Sequence, residues 1–203
     1  MSSDSRNRRL DLERRALIRA LAGIPIAGVM AGRPGRSEAW TSLEPTPDCA
    51  GDEPTPSETA GPYFKPDSPA RASLLESGVE GTRLVVTGLV LTTGCKPVQR
   101  ALLDFWHADT EGEYDLRGFR LRGHQFTGAS GRFRLETVLP GLYGRPRHIH
   151  VRVQAPEGRI LTTQLYFPGE AKGAGDGMFS PRLLMAMRGA GAERQAQFDF
   201  VLQ

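Results

Sequence analysis

From Arg83 to its last residue the chain alternates between short apolar runs and polar turns. The runs are rich in β-branched and aromatic residues, and glycine, proline and aspartate separate them, which is typical of strands joined by turns. In one run Phe133, Leu135 and Thr137 alternate with charged neighbours, so one face of that strand should lie on a core and the other in water. Six strands are predicted: Arg83–Leu91, Ala101–Trp106, Arg132–Val138, His148–Val153, Arg159–Phe167 and Gln197–Leu202.

Glycines stand where hairpin turns are needed, at Gly94, at Gly128 with Gly131, and at Gly158. Only the segment 181–188 has a pattern that would suit a short helix. Several strands with almost no helix between them predict an all-β fold, an antiparallel β-sandwich whose long loops carry any functional site.

Three segments follow from the change of pattern along the chain. Residues 1–39 have the composition of a signal peptide, and residues 40–72, rich in Pro, Asp, Glu, Ser and Thr, predict an extended arm. Residues 73–203 are predicted to form the sandwich domain, since 203 residues suffice for one compact domain with a substantial core.

The first segment predicts export. Arg14 and Arg15 precede an apolar stretch, Ala20–Ala31, and a Ser37–Ala39 site that a signal peptidase could accept, which resembles a twin-arginine signal. We therefore expect a periplasmic or extracellular protein. The alternative is a basic amphipathic helix that stays attached; the apolar stretch is shorter than the roughly 20 residues of a bilayer-spanning helix, so no permanent membrane span is expected.

The charge distribution argues against nucleic-acid binding. The formal net charge is +3, but residues 1–36 hold eight Lys/Arg against three Asp/Glu, which leaves 18 basic and 20 acidic residues in the remainder. The folded part thus lacks a general basic surface.

The two cysteines, Cys49 and Cys95, both follow the proposed cleavage point. In an oxidising compartment they could form one disulfide, or they could be unrelated thiols; the sequence leaves both open.

Two histidines and two tyrosines are the candidate chemistry. His148 and His150 are two residues apart on a predicted strand, so both imidazoles should project from the same face, as a metal site needs. Tyr143 precedes them in a Gly/Pro-rich turn, and Tyr114 lies in another glycine-containing loop. Phenolates are hard anionic ligands, so this donor set favours ferric iron over zinc or copper. Carboxylates near Tyr114, such as Asp109, keep a site of two histidines and one carboxylate open.

A series of motifs in a consistent order, over about residues 59–168, resembles the intradiol ring-cleavage dioxygenases, relatives of catechol 1,2-dioxygenase and protocatechuate 3,4-dioxygenase. Several linked motifs are far more specific than one. They are Thr59–Phe64, Asp104–Asp109 with Gly112–Tyr114, Pro140–Tyr143, Gly144–His150 and Leu161–Phe167.

This resemblance implies an oxidoreductase that opens catechol-type rings between the two hydroxylated carbons, incorporates both atoms of O2 and gives muconate-type diacids. It implies an Fe(III) cofactor with four ligands: Tyr114, Tyr143, His148 and His150. Tyr143 would leave the metal as a base when the diol binds. Arg145 and Gln164 fall at catalytic, substrate-binding positions, where the arginine would stabilise developing anionic charge and the glutamine would orient the intermediate and hold His148.

The loop between Tyr143 and His148 is shorter than in well-known members, which resembles a compact, exported subgroup. Three alternatives remain open: a non-catalytic, transthyretin-like binding module, a different metalloenzyme that uses the histidines with a carboxylate such as Asp109, and a family member that binds iron without activity. Neither the ring substituent of the substrate nor the oligomeric state follows from the sequence. Three other side chains are assigned to packing or loop hydrogen bonds, Trp106, His107 and His124, and Tyr166 is assigned to the core.

Overall fold

The computed structural model describes residues 53–142, 144–170 and 177–203, all within one compact unit, Ser42–Gln203. These residues form nine strands and one 3₁₀ turn, and no α-helix occurs among them. The elements are β1 Arg83–Thr92, β2 Leu102–Trp106, β3 Arg122–Phe126, β4 Arg132–Val138, β5 His148–Gln154, β6 Ile160–Tyr166, the 3₁₀ turn Pro181–Leu183, β7 Ala186–Arg188, β8 Glu193–Gln197 and β9 Phe200–Leu202.

The strands form two sheets. The first has the order β4-β1-β8-β7, and β9 pairs with the second half of β1. The second has the order β3-β2-β5-β6 and is antiparallel throughout. The predicted β-sandwich is confirmed, with one difference: the first sheet is mixed, because β8 and β9 run parallel to β1.

Five of the six predicted strands are present with ends shifted by at most one residue. The sixth prediction, Gln197–Leu202, was wrong in its bounds, because β8 ends at Gln197 and the chain bends before β9 begins at Phe200. The predicted helix over 181–188 was also wrong: a single 3₁₀ turn there is followed by β7. Strands β3, β7 and β8 were not predicted, since none has an apolar alternation.

The core fills the space between the sheets with the inward residues of both. Strand β5 shows how the sheet divides its two faces. Ile149, Val151 and Val153 are fully buried in the core, whereas His148 and His150 project to the opposite face.

That opposite face of the second sheet is covered by residues 53–72, the described part of the arm. The amide of Glu58 donates to the carbonyl of Thr162 at 2.8 Å, and the amide of Arg71 to that of His124 at 2.8 Å. The arm therefore spans the second sheet from β6 to β3, and the histidines lie beneath it. Within the described ranges, no helix has the length and hydropathy that a membrane crossing requires.

Candidate metal and substrate site

Four side chains form one row across the second sheet. Trp106 on β2 is opposite Arg122 on β3 and His150 on β5, and His150 is opposite Gln164 on β6. Residues directly opposite each other in an antiparallel pair share a face. The strand register thus places His150 between an indole and a carboxamide, with a buried guanidinium at the end of the row.

The two histidines lie side by side, as their spacing predicts. Their rings are 4.7 Å apart between centroids and nearly perpendicular, at 81°. His148 Nδ1 is 2.7 Å from the carbonyl oxygen of Pro146, and because a carbonyl only accepts, this nitrogen carries the proton. A neutral His148 therefore carries its ring lone pair on Nε2.

His150 is 3% exposed and is fixed by Trp106, whose indole stacks on it in parallel at 4.9 Å. Burial, followed by the charges of His148 and Arg145, lowers the pKa of His150 to about 2, so the ring is neutral and can bind a cation. Within the described residues its Nδ1 is buried without a hydrogen-bond partner, which costs about 1–3 kcal/mol and fits a site that a ligand completes. Gly61 of the arm, at φ +65°, crosses this ring so closely that a Cβ would lie 3.4 Å from Cε1.

Tyr114 reaches the histidines from the loop between β2 and β3. Its ring centroid is 6.1 Å from that of His150, at a tilt of 56°. On its other side it stacks on Tyr63 of the arm at 4.4 Å and 14°. The structure thus brings one of the two predicted tyrosines to the histidine pair.

Tyr143 lies outside the described residues, but the turn before it is described. The amide of Gly141 donates to the carbonyl of Asp109 at 2.7 Å, and a Cβ on Gly141 would lie 2.4 Å from the carbonyl oxygen of Thr110. Only glycine permits so close an approach. The loop that leads to Tyr143 is therefore packed directly on the loop that carries Tyr114.

Arg145 and Gln164 are joined in one polar network. Arg145 donates from Nη1 to Gln164 Oε1 at 2.8 Å and from Nη2 to the hydroxyl of Tyr166 at 3.0 Å. Tyr166 in turn donates to Glu58 Oε2 at 2.8 Å, and Gln164 Nε2 donates to the carbonyl of Thr59 at 3.0 Å. Burial and then Glu58 raise the pKa of Tyr166, so this phenol stays protonated and links the carboxylate to the guanidinium.

This network corrects one sequence-based assignment and adds detail to a second one that is confirmed. Gln164 does not hold His148, because its bonds go to Arg145, Tyr166 and Thr59, and Pro146 holds His148 instead. Tyr166 is buried as predicted, yet its hydroxyl belongs to the polar site and not to the apolar core.

The carboxylate alternative finds no support in the geometry. Asp109 Oδ1 accepts from the amides of Glu111 and Glu113 at 3.1 and 2.9 Å, and its Oδ2 pairs with Arg120 at 3.3 Å. Across residues 53–142, 144–170 and 177–203, no three His, Cys, Asp or Glu side chains are placed to hold a metal together. His107, which we did not expect to be a ligand, uses both ring nitrogens, on Ala108 and Thr137.

Comparison with known proteins shows the family to which the chain belongs. A family model described as Dioxygenase matches residues 59–203, which is more than half of the chain. The chain belongs to the intradiol ring-cleavage dioxygenase family. It is 37% identical to the protocatechuate 3,4-dioxygenase beta chain of Burkholderia cepacia over 118 residues, or 49% of this chain and 50% of that protein.

Among solved structures, the dioxygenase domain of a dioxygenase carbohydrate-binding protein fusion from Streptomyces sp. SirexAA-E is 58% identical, with a TM-score of 0.71, over 74% of this chain and 98% of that one. The 3-chlorocatechol 1,2-dioxygenase of Rhodococcus opacus 1CP is 27% identical, with a TM-score of 0.67, over 75% of this chain and 73% of that one. The chain spans about half the length of the curated relatives it matches, as with the Burkholderia protein at 50% and catechol 1,2-dioxygenase of Acinetobacter baylyi at 47%.

For this intradiol dioxygenase, the motifs located the histidines and Tyr114 but missed their neighbours. Trp106 was correctly assigned to packing, but its packing partner, the ligand candidate His150, was not predicted. Arg122 and Glu58 were given no role in the site. No sequence signal marked Arg122, because its burial, which makes a charged side chain require partners, is visible only in the structure.

Proposed function

We propose that this chain is a non-haem iron(III) dioxygenase that cleaves catechol-type diols between the two hydroxylated carbons with O2, giving muconate-type diacids. The observation that carries the proposal is the pair of buried histidines, His148 and His150, facing Tyr114 beneath the arm. Relatives named as catechol, chlorocatechol and protocatechuate dioxygenases support the same class of substrate.

Ferric iron fits the donors that are present. The proposed ligands are His148, His150, Tyr114 and Tyr143. Both described imidazoles can offer a lone pair, and phenolate oxygens are hard anionic donors that suit a trivalent metal. When bound, ferric iron would supply a Lewis acid that takes both catechol oxygens and renders the ring reactive toward O2.

The remaining residues would bind and orient the diol and move its protons. Arg145, held by Gln164 and Tyr166, would keep a fixed positive charge beside the bound ring and favour anionic character there, with no reorganisation during the reaction. Tyr143 would accept a proton from the diol as general base. Gln164 would fix the direction of Arg145, because its carboxamide is buried and bonded on both sides.

A groove adjoins this network and offers room for ring substituents. It has a volume of about 450 Å3 between residues 56–59 and 177–180. Glu58 belongs to both the groove and the network, and Met178 and Phe179 supply apolar surface. We propose that substituents of the catechol ring extend along it.

The experiment that tests the function is a visible absorption spectrum of the purified protein with iron quantified, before and after anaerobic addition of catechol. We expect about one iron per chain and a broad phenolate-to-iron(III) band that shifts to longer wavelength with catechol. Admission of O2 should then consume the diol and yield a muconate-type diacid.

Other outcomes are equally informative. An iron-loaded but colourless protein would overturn the tyrosine ligands and favour a site of two histidines and a carboxylate. No metal after reconstitution would favour a binding module. A coloured protein that consumes neither catechol nor any substituted catechol would overturn the activity while keeping the metal site.

We also propose that the protein is exported, with residues 1–39 as a twin-arginine-type signal. In support, Cys95 is disulfide-bonded, as expected in an oxidising compartment, and the chain's other cysteine, Cys49, lies outside the described residues, as do residues 1–39. Replacing Arg14 and Arg15 by lysine should retain the protein in the cytoplasm on fractionation. Unchanged export would overturn the twin-arginine assignment.

A further inference from the structure

Arg122 is a charged side chain on the site face of the second sheet, yet only 2% of its surface is exposed. It begins β3 opposite Trp106, which also pairs with His150, so its side chain projects to the same side as the histidines. Burial of a guanidinium costs several kcal/mol unless hydrogen bonds and opposite charge compensate. The groups that it contacts therefore indicate what its charge stabilises.

The contacts of Arg122 are two backbone carbonyls. Nη1 donates to the oxygen of Tyr63 at 2.7 Å, and Nε donates to the oxygen of Asp115 at 3.2 Å. Within the described part of the chain Arg122 forms no salt bridge. Burial lowers the pKa of Arg122, while nearby Asp115, Tyr114 and Asp104 favour its charged form.

Those two carbonyls belong to residues that adjoin Tyr114. Tyr63 is the residue on which the Tyr114 ring stacks, and Asp115 is the residue that follows Tyr114 in the chain. Arg122 thus joins the arm to the loop between β2 and β3 at the point where the phenol is held.

The loop after Tyr114 is itself closed by the side chain of Asp115. Its carboxylate accepts from the amides of Arg117, Gly118 and Arg120 at 2.8 to 2.9 Å, and these hydrogen bonds lower the pKa of Asp115 to about 2. Because three hydrogen bonds close this turn, the hydrogen bond from Arg122 to the Asp115 carbonyl also restricts the backbone of the adjoining Tyr114.

We propose that Arg122 is a positioning residue for Tyr114. By binding the carbonyls of Tyr63 and Asp115, it holds the phenol between Tyr63 and His150, in the orientation in which it can bind iron. The inference rests on the proposed function, and it assigns Arg122 no direct contact with the diol or the metal.

The test compares Arg122→Met and Arg122→Lys with the unaltered protein. Arg134→Met is the matched control, since Arg134 lies on β4 of the first sheet and pairs with Glu136. Each protein is reconstituted with ferric iron, and iron affinity, the visible band per bound iron and the resonance Raman modes of the tyrosinates are measured.

We expect Arg122→Met to bind iron about 10–100-fold more weakly, as is typical when the residues that orient a metal ligand are altered, and to shift or weaken the band. Arg122→Lys should recover part of both, because it keeps the charge but lacks the planar fork that reaches two carbonyls. Arg134→Met should match the unaltered protein.

A normal iron affinity and a normal visible band in Arg122→Met would overturn the inference. A lower unfolding temperature with an unchanged band per bound iron would also overturn it, because that result is expected of an arginine that only stabilises the fold. If Arg122→Met does not fold, Arg122→Lys and Tyr63→Ala decide: both should alter the tyrosinate modes, and unchanged modes in both overturn the inference. Absence of any tyrosinate band in the unaltered protein would instead refute the proposed function, and the inference with it.

Discussion

The imidazole of His107 illustrates how burial changes the pKa of a single residue. Nδ1 donates to the carbonyl of Ala108 and Nε2 accepts from the hydroxyl of Thr137, both at 2.7 Å, and the side chain is 1% exposed. Burial lowers the pKa of His107 from 6.5 to about 4. The folded protein therefore excludes a proton that the unfolded chain binds readily.

This depressed pKa predicts a loss of stability in acid. Between pH 6.5 and about 4 the unfolded chain binds one more proton at His107 than the folded chain, so acidification favours unfolding by up to about 1.4 kcal/mol per pH unit. Above pH 6.5 both states are neutral there, and below the folded pKa the contribution no longer changes.

The measurement is urea unfolding of the iron-free protein and of His107→Asn across this pH range. The variant should lose stability less steeply toward acid, by about that slope, while above pH 7 the two should differ by a constant. Parallel pH profiles would refute the assignment of this proton to His107.

At the scale of elements, the site depends on the contact between two loops. Gly141 follows β4, and the loop after β2 crosses it so closely that a Cβ would lie 2.4 Å from Thr110 O and 2.5 Å from Gly112 N. Because both atoms are backbone, Gly141→Ala must push the loops apart, and we expect it to lower the free energy of unfolding by about 1–3 kcal/mol.

The same substitution should disturb iron binding, because Tyr143 lies two residues after Gly141 and Tyr114 two residues after Gly112. Unfolding in urea and the visible band of the iron-loaded protein measure the two effects. Gly128→Ala is the control, since nothing lies within 4 Å of its Cβ position, and it should change neither. A Gly141→Ala protein as stable and as coloured as the control would contradict this account.

The elements also explain what the sequence could predict. One face of strand β4 is solvent-exposed, so its alternation of apolar and polar residues could be recognised in the sequence. In β5 the period of two correctly placed His148 and His150 on one face. Strand β3 was missed because its core-facing residues, Gly123 and Gln125, are not apolar, so that no apolar alternation is visible in its sequence.

Neighbours across strands were beyond prediction for a different reason. That Trp106 stacks on His150, or that Arg122 ends the same row, depends on the register between β2, β3 and β5. Register is set by the packing of whole sheets, and motif spacing along one strand carries no information about it.

At the scale of the whole molecule, the two sheets differ in their relation to the candidate site. The three described ligand candidates and the Arg145 network lie between the second sheet and the arm, while the core separates them from the first sheet. Bound iron would join β5, the loop that holds Tyr114 and, through Tyr63, the arm. A ligand that binds only the native arrangement stabilises the segments it connects.

We therefore expect iron removal to increase hydrogen exchange in the arm and the loop that holds Tyr114, and to leave the first sheet unchanged. Hydrogen exchange of the iron-free protein, followed by mass spectrometry, should be faster than that of the iron-loaded protein in residues 58–64 and 109–120. Strands β1 and β4 serve as the internal reference, because their paired residues enclose the core from the first sheet, and their exchange should not change. Faster exchange spread evenly over both sheets would mean that the metal stabilises the fold as one unit, and unchanged exchange beneath the arm would mean that iron does not bind there.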